Sequence, residues 1–172
     1  MRSSVVDYEN VSRQLLRRES LSMDGVGPLA ALLRSAMPRR LKGGTILVKE
    51  GELADELLVV ARGSVRVLLQ NERGLPTEVA LLKAPCLLGP IAIIDDGRRS
   101  ATCVLASSGL VLALERDRVE AVFTGTNRRA EVMRELMLAG MFRKLDQATA
   151  RLRTFLHEGP ARPVDPYDED QA

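Results

Sequence analysis

The sequence predicts a mainly β fold with flanking helices, an antiparallel sandwich or barrel, and three observations carry that expectation. Short apolar or alternating segments follow one another between residues 45 and 116. Glycine or proline separates most of them at turn-like intervals. Apolar spacing of three and four residues, which marks an amphipathic helix, is found before residue 38 and after residue 116.

Taken in order, residues 5–18 place Val5, Tyr8, Val11, Leu15 and Leu16 at helical spacing, with Arg13, Arg17 and Arg18 on a solvated face. Residues 19–28 form a Ser- and Gly-rich break. A second helix is expected over 29–37 and ends at Pro38, because the residue before a proline is pushed out of helical geometry. Strands are expected at 45–51, 56–63, 64–70, 77–83, 100–107 and 110–116, with Gly51, Gly63, Gly74 and Gly109 at turns. Residues 71–74 read as a hairpin loop.

After a short helix at 117–123, Asn127 is a good N-cap for a long helix running to about residue 157. Along that helix Leu138, Met141, Leu145, Ala148, Leu152 and Phe155 alternate spacings of three and four, a coiled-coil-like seam. Met133 and Met137 extend an apolar face back toward the sheet. The seam is longer than one small barrel can cover, so a homodimer through residues 133–156 is expected. Gly140 weakens the helix by roughly 1 kcal/mol relative to Ala and would let another backbone approach. Residues 159–172, with three prolines and four acidic residues, are expected to be a disordered acidic tail.

One stretch, residues 87–104, changes period twice. Leu88, Gly89 and Pro90 break the preceding strand, and the fixed φ of Pro90 suits a first helical position. Ile91, Ala92, Ile93 and Ile94 make about one turn. Asp95, Asp96 and Gly97 end it, Arg98 and Arg99 follow, and a strand resumes from Ser100. A short helix start held near an arginine is a recipe for an anion, most naturally a phosphate.

Composition narrows the function further. The chain has 172 residues, 45% of them hydrophobic but only 3% aromatic, so its core is built from Leu, Val, Ile, Ala and Met. Net charge is +2, which does not argue for nucleic-acid binding. Cys86 and Cys103 lack CxxC spacing and read as buried reduced thiols. A single histidine, His157, excludes a His-based metal site, and no nucleophile–base pair appears, so no enzyme is expected. No apolar run approaches the ~20 residues of a membrane span, no signal-peptide pattern opens the chain, and a cytoplasmic location is expected.

The order of helix, antiparallel β domain, short helix with arginine, and long exit helix resembles the cyclic nucleotide-binding domain of catabolite-activator-type regulators, protein kinase A regulatory subunits and cyclic-nucleotide-gated channels. The residues that carry the resemblance are Gly43 and Gly44 with Ile46, then Glu50-Gly51, then Leu57 to Val60, then Arg62-Gly63-Ser64-Val65-Arg66-Val67. Leu88-Gly89-Pro90, Arg99-Ser100-Ala101 and the strand to Leu114 complete the set. It covers roughly residues 23 to 157 and implies an antiparallel β-barrel of the double-stranded β-helix or jelly-roll type. That barrel would occupy 23–126, after an N-terminal helix and linker at 1–22 and before an exit and dimerisation helix at 127–158.

In that family the short helix and its arginine form a phosphate-binding cassette, typically Phe-Gly-Glu, a short apolar stretch and Arg-x-Ala. The arginine pairs with the cyclic phosphate and the glutamate accepts the ribose 2′-hydroxyl. The resemblance therefore implies a ligand site of Gly89, Pro90, Ile91, Ala92, Arg99, Ser100 and Ala101, with Arg99 on the phosphate. Leu88 replaces the usual aromatic. Pro90 stands at the glutamate position, removing a carboxylate acceptor and one backbone N–H. Losing a hydrogen bond of about 1.5–3 kcal/mol weakens binding roughly 10- to 100-fold.

Asp95 and Asp96 could substitute, but local pairing with Arg98 or Arg99 is the better expectation. Gln147 and Thr149 are the nearest uncharged polar residues for contact with a base. The expected function is a non-enzymatic regulatory module with a non-standard cassette, signalling through an unidentified protein partner with weak or altered nucleotide binding. The alternative is a genuine sensor of cyclic AMP, cyclic GMP or a cyclic dinucleotide that moves the exit helix. No cofactor other than such a ligand is expected. Direct DNA binding is not expected either, because no helix-turn-helix follows the exit helix in this sequence.

Overall fold

The apolar segments pair as antiparallel strands in two four-stranded sheets. The computed structural model describes residues 6–71, 73–94 and 97–158. In chain order the strands are β1 (Met37–Leu41), β2 (Ile46–Val48), β3 (Glu56–Arg62), β4 (Ser64–Gln70), β5 (Pro76–Lys83), β6 (Cys86–Leu88), β7 (Thr102–Leu105) and β8 (Gly109–Glu115). One sheet runs β1-β8-β3-β6 and the other β2-β7-β4-β5. The expected mainly β fold is present as two facing sheets; it does not close into a continuous barrel.

The helices are α1 (Tyr8–Arg18), a 3-10 turn at Met23–Gly25, α2 (Val26–Leu33), α3 (Pro90–Ile94), α4 (Arg116–Thr124) and α5 (Arg128–Glu158). The Asp7 side chain caps α1 by accepting from the Asn10 N–H at 2.9 Å. Asn127 caps α5 as expected, accepting from the Ala130 N–H at 3.1 Å. The expected helix over 29–37 is corrected: α2 ends at Leu33, and Met37 and Pro38 open a strand instead. Pro38 pairs with Leu112 on β1, an edge strand, where the missing N–H leaves no central ladder bond unmade. A separate short strand, β6, pairs with β3 before the cassette.

Burial explains the two kinds of apolar pattern. Leu57, Val59 and Ala61 of β3 pack with α1, α2, α4 and α5 on one side of the sheet. Leu58 and Val60 pack between the sheets with Val65, Leu88, Leu105 and Val111. β3 and β8 are thus covered on both faces, which is why ELLVVA and LVLAL run without alternation. β5, at a sheet edge, is mostly exposed. Met133 and Met137 are fully buried in the helix-side core, as their spacing predicts. Cys86 and Cys103 are buried and free.

The loop at 71–74 is held by Asn71, whose Oδ1 accepts from the N–H groups of Arg73 and Leu75 at 2.9 and 3.0 Å. Gly74 takes φ +73° there. Contacts divide the chain into two compact units at Met141/Phe142. The expected acidic tail, Val5, Asp95 and Asp96 lie outside the described residues. Among the described residues no helix is long and apolar enough to cross a membrane.

Candidate functional site

Residues 86–105 fold as strand, turn, one-and-a-half-turn helix and strand. β6 ends at Leu88, and Gly89 follows at φ +70°, a conformation that glycine adopts without strain. Pro90 begins α3 and is buried. Ala92 and Ile93 turn into the helix-side core, whereas Ile91 is exposed. Downstream, Arg99 is fixed by its backbone: its N–H donates to Glu52 O, and its carbonyl accepts from Gly51 N–H, both at 2.8 Å. A bridge between Leu53 and Arg98, with Arg98 Nη1 donating to Gly51 O at 2.7 Å, ties the same two segments.

The Arg99 side chain is 5% exposed, one of two buried polar residues among the described ones. Its Nη2 donates to Glu56 O, and its Nη1 reaches Gly89 O at 3.5 Å. The guanidinium lies so close to Gly89 that a β-carbon built there would overlap Nη1. Glycine at 89 is therefore required twice, for φ and for room. Burial pulls the Arg99 pKa below its ordinary value; Asp55, Cys103 and Glu56 oppose that shift and Arg116 adds to it. A buried guanidinium stays charged, so this site holds a desolvated cation that only backbone carbonyls and nearby carboxylates offset. An oxyanion is its natural counterpart.

Arg116 is the residue the sequence reading missed. It opens α4 and its Nη1 pairs within that helix with Glu120 at 3.5 Å, but most of its hydrogen bonds go elsewhere. Nε donates to Ala54 O at 2.9 Å, Nη1 to Ile93 O at 3.2 Å and Nη2 to Ala92 O at 3.3 Å. Nη2 also donates to Ala54 O, and the Arg116 N–H donates to Asp55 O at 2.8 Å. The terminal carbonyls of a five-residue helix such as α3 need donors: Arg116 serves those of Ala92 and Ile93, and Ala92 O also accepts from the Gly97 N–H at 3.1 Å. The available signal was a cation in the first turn of a helix, where the macrodipole disfavours it.

The structure brings Gly89 and Arg99 together, with Pro90 and Ala92 on α3 directly after Gly89. Ser100 is exposed and Ala101 half-buried. Along α5, Leu138 is exposed and Met141 half-buried. In the second unit Leu145 is 62% exposed, and Ala148 and Leu152 are exposed too. Phe142, absent from the expected seam, is 65% exposed. Space around Gly140 is open. Gln147 and Thr149 are exposed in the second unit, and the Phe155 side chain lies outside the described ones. No group of His, Cys, Asp and Glu able to hold a metal occurs among the described residues.

Two antiparallel sheets carry a short helix and a buried arginine between β6 and β7. The chain belongs to the cyclic nucleotide-binding domain family, whose model matches residues 38–125. It is 31% identical over 122 residues to the cyclic AMP receptor protein of Thermus thermophilus, which covers 70% of this chain and 55% of that protein. The chain thus spans about half the length of that curated relative.

Its fold is like that of the Thermus thermophilus catabolite activator protein, with TM-score 0.66 at 24% identity over 86% of this chain and 72% of that one. A cyclic nucleotide-binding domain from Methylobacillus flagellatus gives TM-score 0.73 at 19% identity, covering 91% and 87%. The regulatory domain of Toxoplasma gondii PKA, solved with cAMP, gives 0.56 at 16% identity, covering 76% and 59%.

Proposed function

We propose that this chain is a non-enzymatic regulatory module whose altered cassette binds cyclic nucleotide weakly or in an altered way, and which signals through protein–protein contact. The observation that carries the reading is Pro90. It occupies the first position of α3, where the family pattern places the ribose-binding glutamate, and it offers neither carboxylate nor N–H. Arg99 supports the second reading, a genuine nucleotide sensor, because it remains buried and charged beside the same turn.

Calorimetric titration of cyclic AMP, cyclic GMP and cyclic di-GMP into wild type and Arg99→Ala separates the two. The expected wild-type affinity is roughly 10- to 100-fold weaker than in a chain carrying Pro90→Glu. Micromolar binding by wild type, unchanged by Pro90→Glu and lost in Arg99→Ala, would instead establish the sensor. A thermal melt of each variant checks that it folds.

The output surface we assign to the exit helix, through a homodimer over residues 133–156. The exposed apolar residues Leu138, Phe142, Leu145 and Leu152 support this reading, since burying such side chains stabilises by about 1.5–3 kcal/mol each. Sedimentation equilibrium is expected to show a dimer that Leu145→Glu dissociates at least tenfold. A monomeric wild type would rule it out.

A further inference from the structure

A bulge in β3 delivers a charged side chain to the cleft beside α1. Along the strand Leu57, Val59 and Ala61 pack on the helix side, and Leu58 and Val60 pack between the sheets. Continued alternation would turn Arg62 between the sheets too. The register with β8 instead shifts between Val60 and Arg62, so that Arg62 stands opposite Leu110 of the helix-side core. Residues directly opposite on paired strands share a face. The extra residue therefore turns Arg62 toward the helices, and bulges commonly re-aim a side chain in this way beside binding sites.

There Arg62 meets one face of α1. Asp7 at the N-cap, with Asn10 and Gln14 one and two turns on, lines a cavity of about 210 Å³ together with Arg62. Its floor is apolar, made by the buried Val11, Ala61 and Leu110, and the small side chain of Ala61 leaves the room. Its rim is polar, since Asp7, Asn10, Gln14 and Arg62 are exposed. Asp7 caps α1 through Oδ1, which leaves Oδ2 to accept from a further donor. Asp7 and Arg62 thus bring opposite charges to one cavity, and no ion pair among the described residues joins them. The space equals that of roughly seven waters at about 30 Å³ each, below the range of drug-sized ligand sites.

We infer that this cavity is a binding site for a small zwitterion, a free α-amino acid with a short apolar side chain. A carboxylate fits the forked guanidinium of Arg62, and an ammonium fits the open oxygen of Asp7. The carboxamides of Asn10 and Gln14 each offer a donor and an acceptor to the same two groups. The ligand's side chain lies on the apolar floor, where burial adds what two solvated ion contacts alone do not supply. An inorganic anion would satisfy Arg62 but face the like charge of Asp7, and a simple amine would do the reverse. The inference does not depend on whether the cassette binds nucleotide.

The test is calorimetric titration of the full chain with L-valine, with isovalerate, which is valine without its ammonium, and with isobutylamine, which is valine without its carboxylate. Valine is expected to bind, and each single-charge analogue to bind at least about tenfold more weakly. Arg62→Gln and Asp7→Asn are each expected to weaken valine binding by about tenfold or more. Asparagine is as good an N-cap as aspartate, so Asp7→Asn keeps α1 capped, and melting temperature checks the fold of both variants. Arg66→Gln, which removes the same charge from an exposed position on the other sheet, is expected to leave binding within about twofold. Absence of valine binding to wild type would overturn the proposal. So would isovalerate binding as tightly as valine, which would leave a plain anion contact, or equal weakening by Arg66→Gln, which would indicate diffuse charge.

Discussion

Gly89→Ala is expected to destabilise the chain by roughly 3 kcal/mol or more and to displace Arg99 from its seat. Two effects add. A non-glycine residue at φ +70° carries a backbone penalty of about 1–2 kcal/mol. The new methyl would also overlap Arg99 Nη1, and a guanidinium forced off its carbonyls leaves buried polar groups without partners, at about 1–3 kcal/mol. Gly44→Ala isolates the first effect, since Gly44 has φ +85° and its added methyl would meet nothing within 4 Å. Urea unfolding of the two variants reads the difference. Equal losses would mean that Arg99 does not depend on the glycine.

Arg116→Met is expected to cost about 2–4 kcal/mol, chiefly through the carbonyls of Ala54 and Ile93 that lose the Arg116 donor, since Ala92 O keeps the Gly97 N–H. One effect opposes this. Arg116 and Arg99 repel, and removing one cation relieves the other, but that repulsion is the smallest of the influences on Arg99. The hydrogen bonds therefore decide the sign. Arg34→Met, which breaks the exposed pair with Glu9 and the guanidinium contact 5.9 Å over the Tyr8 ring, is expected to cost under about 1.5 kcal/mol. If both variants unfold at the same urea concentration, Arg116 is not what holds the end of α3. Arg116→Lys should recover part of the loss, because one ammonium can reach some but not all of the carbonyls.

The strands were legible because alternation and glycine punctuation report local geometry. Ser64–Gln70 matches its expected span residue for residue, and the other expected strands differ only at their ends. Pro38 misled because the rule that ends a helix before proline is silent about edge strands, where proline is equally at home. At the candidate site, Gly89, Pro90 and Arg99 were readable as a motif, and Gly89 and Arg99 meet in the structure. The partners of Arg99 were not readable. They are the carbonyl oxygens of Gly89 and Glu56, and backbone acceptors leave no trace in residue type. The carbonyl partners of Arg116 were hidden for the same reason, since they lie 62, 24 and 23 positions earlier in the chain, whereas its pair with Glu120 lies only four positions on.

The double coverage of β3 and β8 sets a limit on how this domain can respond to anything it binds. Leu57, Val59, Leu112 and Leu114 are fully buried beneath the helices, while the alternate residues of the same strands seal the space between the sheets. Lifting the helical layer away would wet those four side chains, at about 1.5–3 kcal/mol each, a sum comparable to the whole stability of a typical domain. A signal crossing this wall must therefore travel as a slide or a tilt of helices that stay in contact with it.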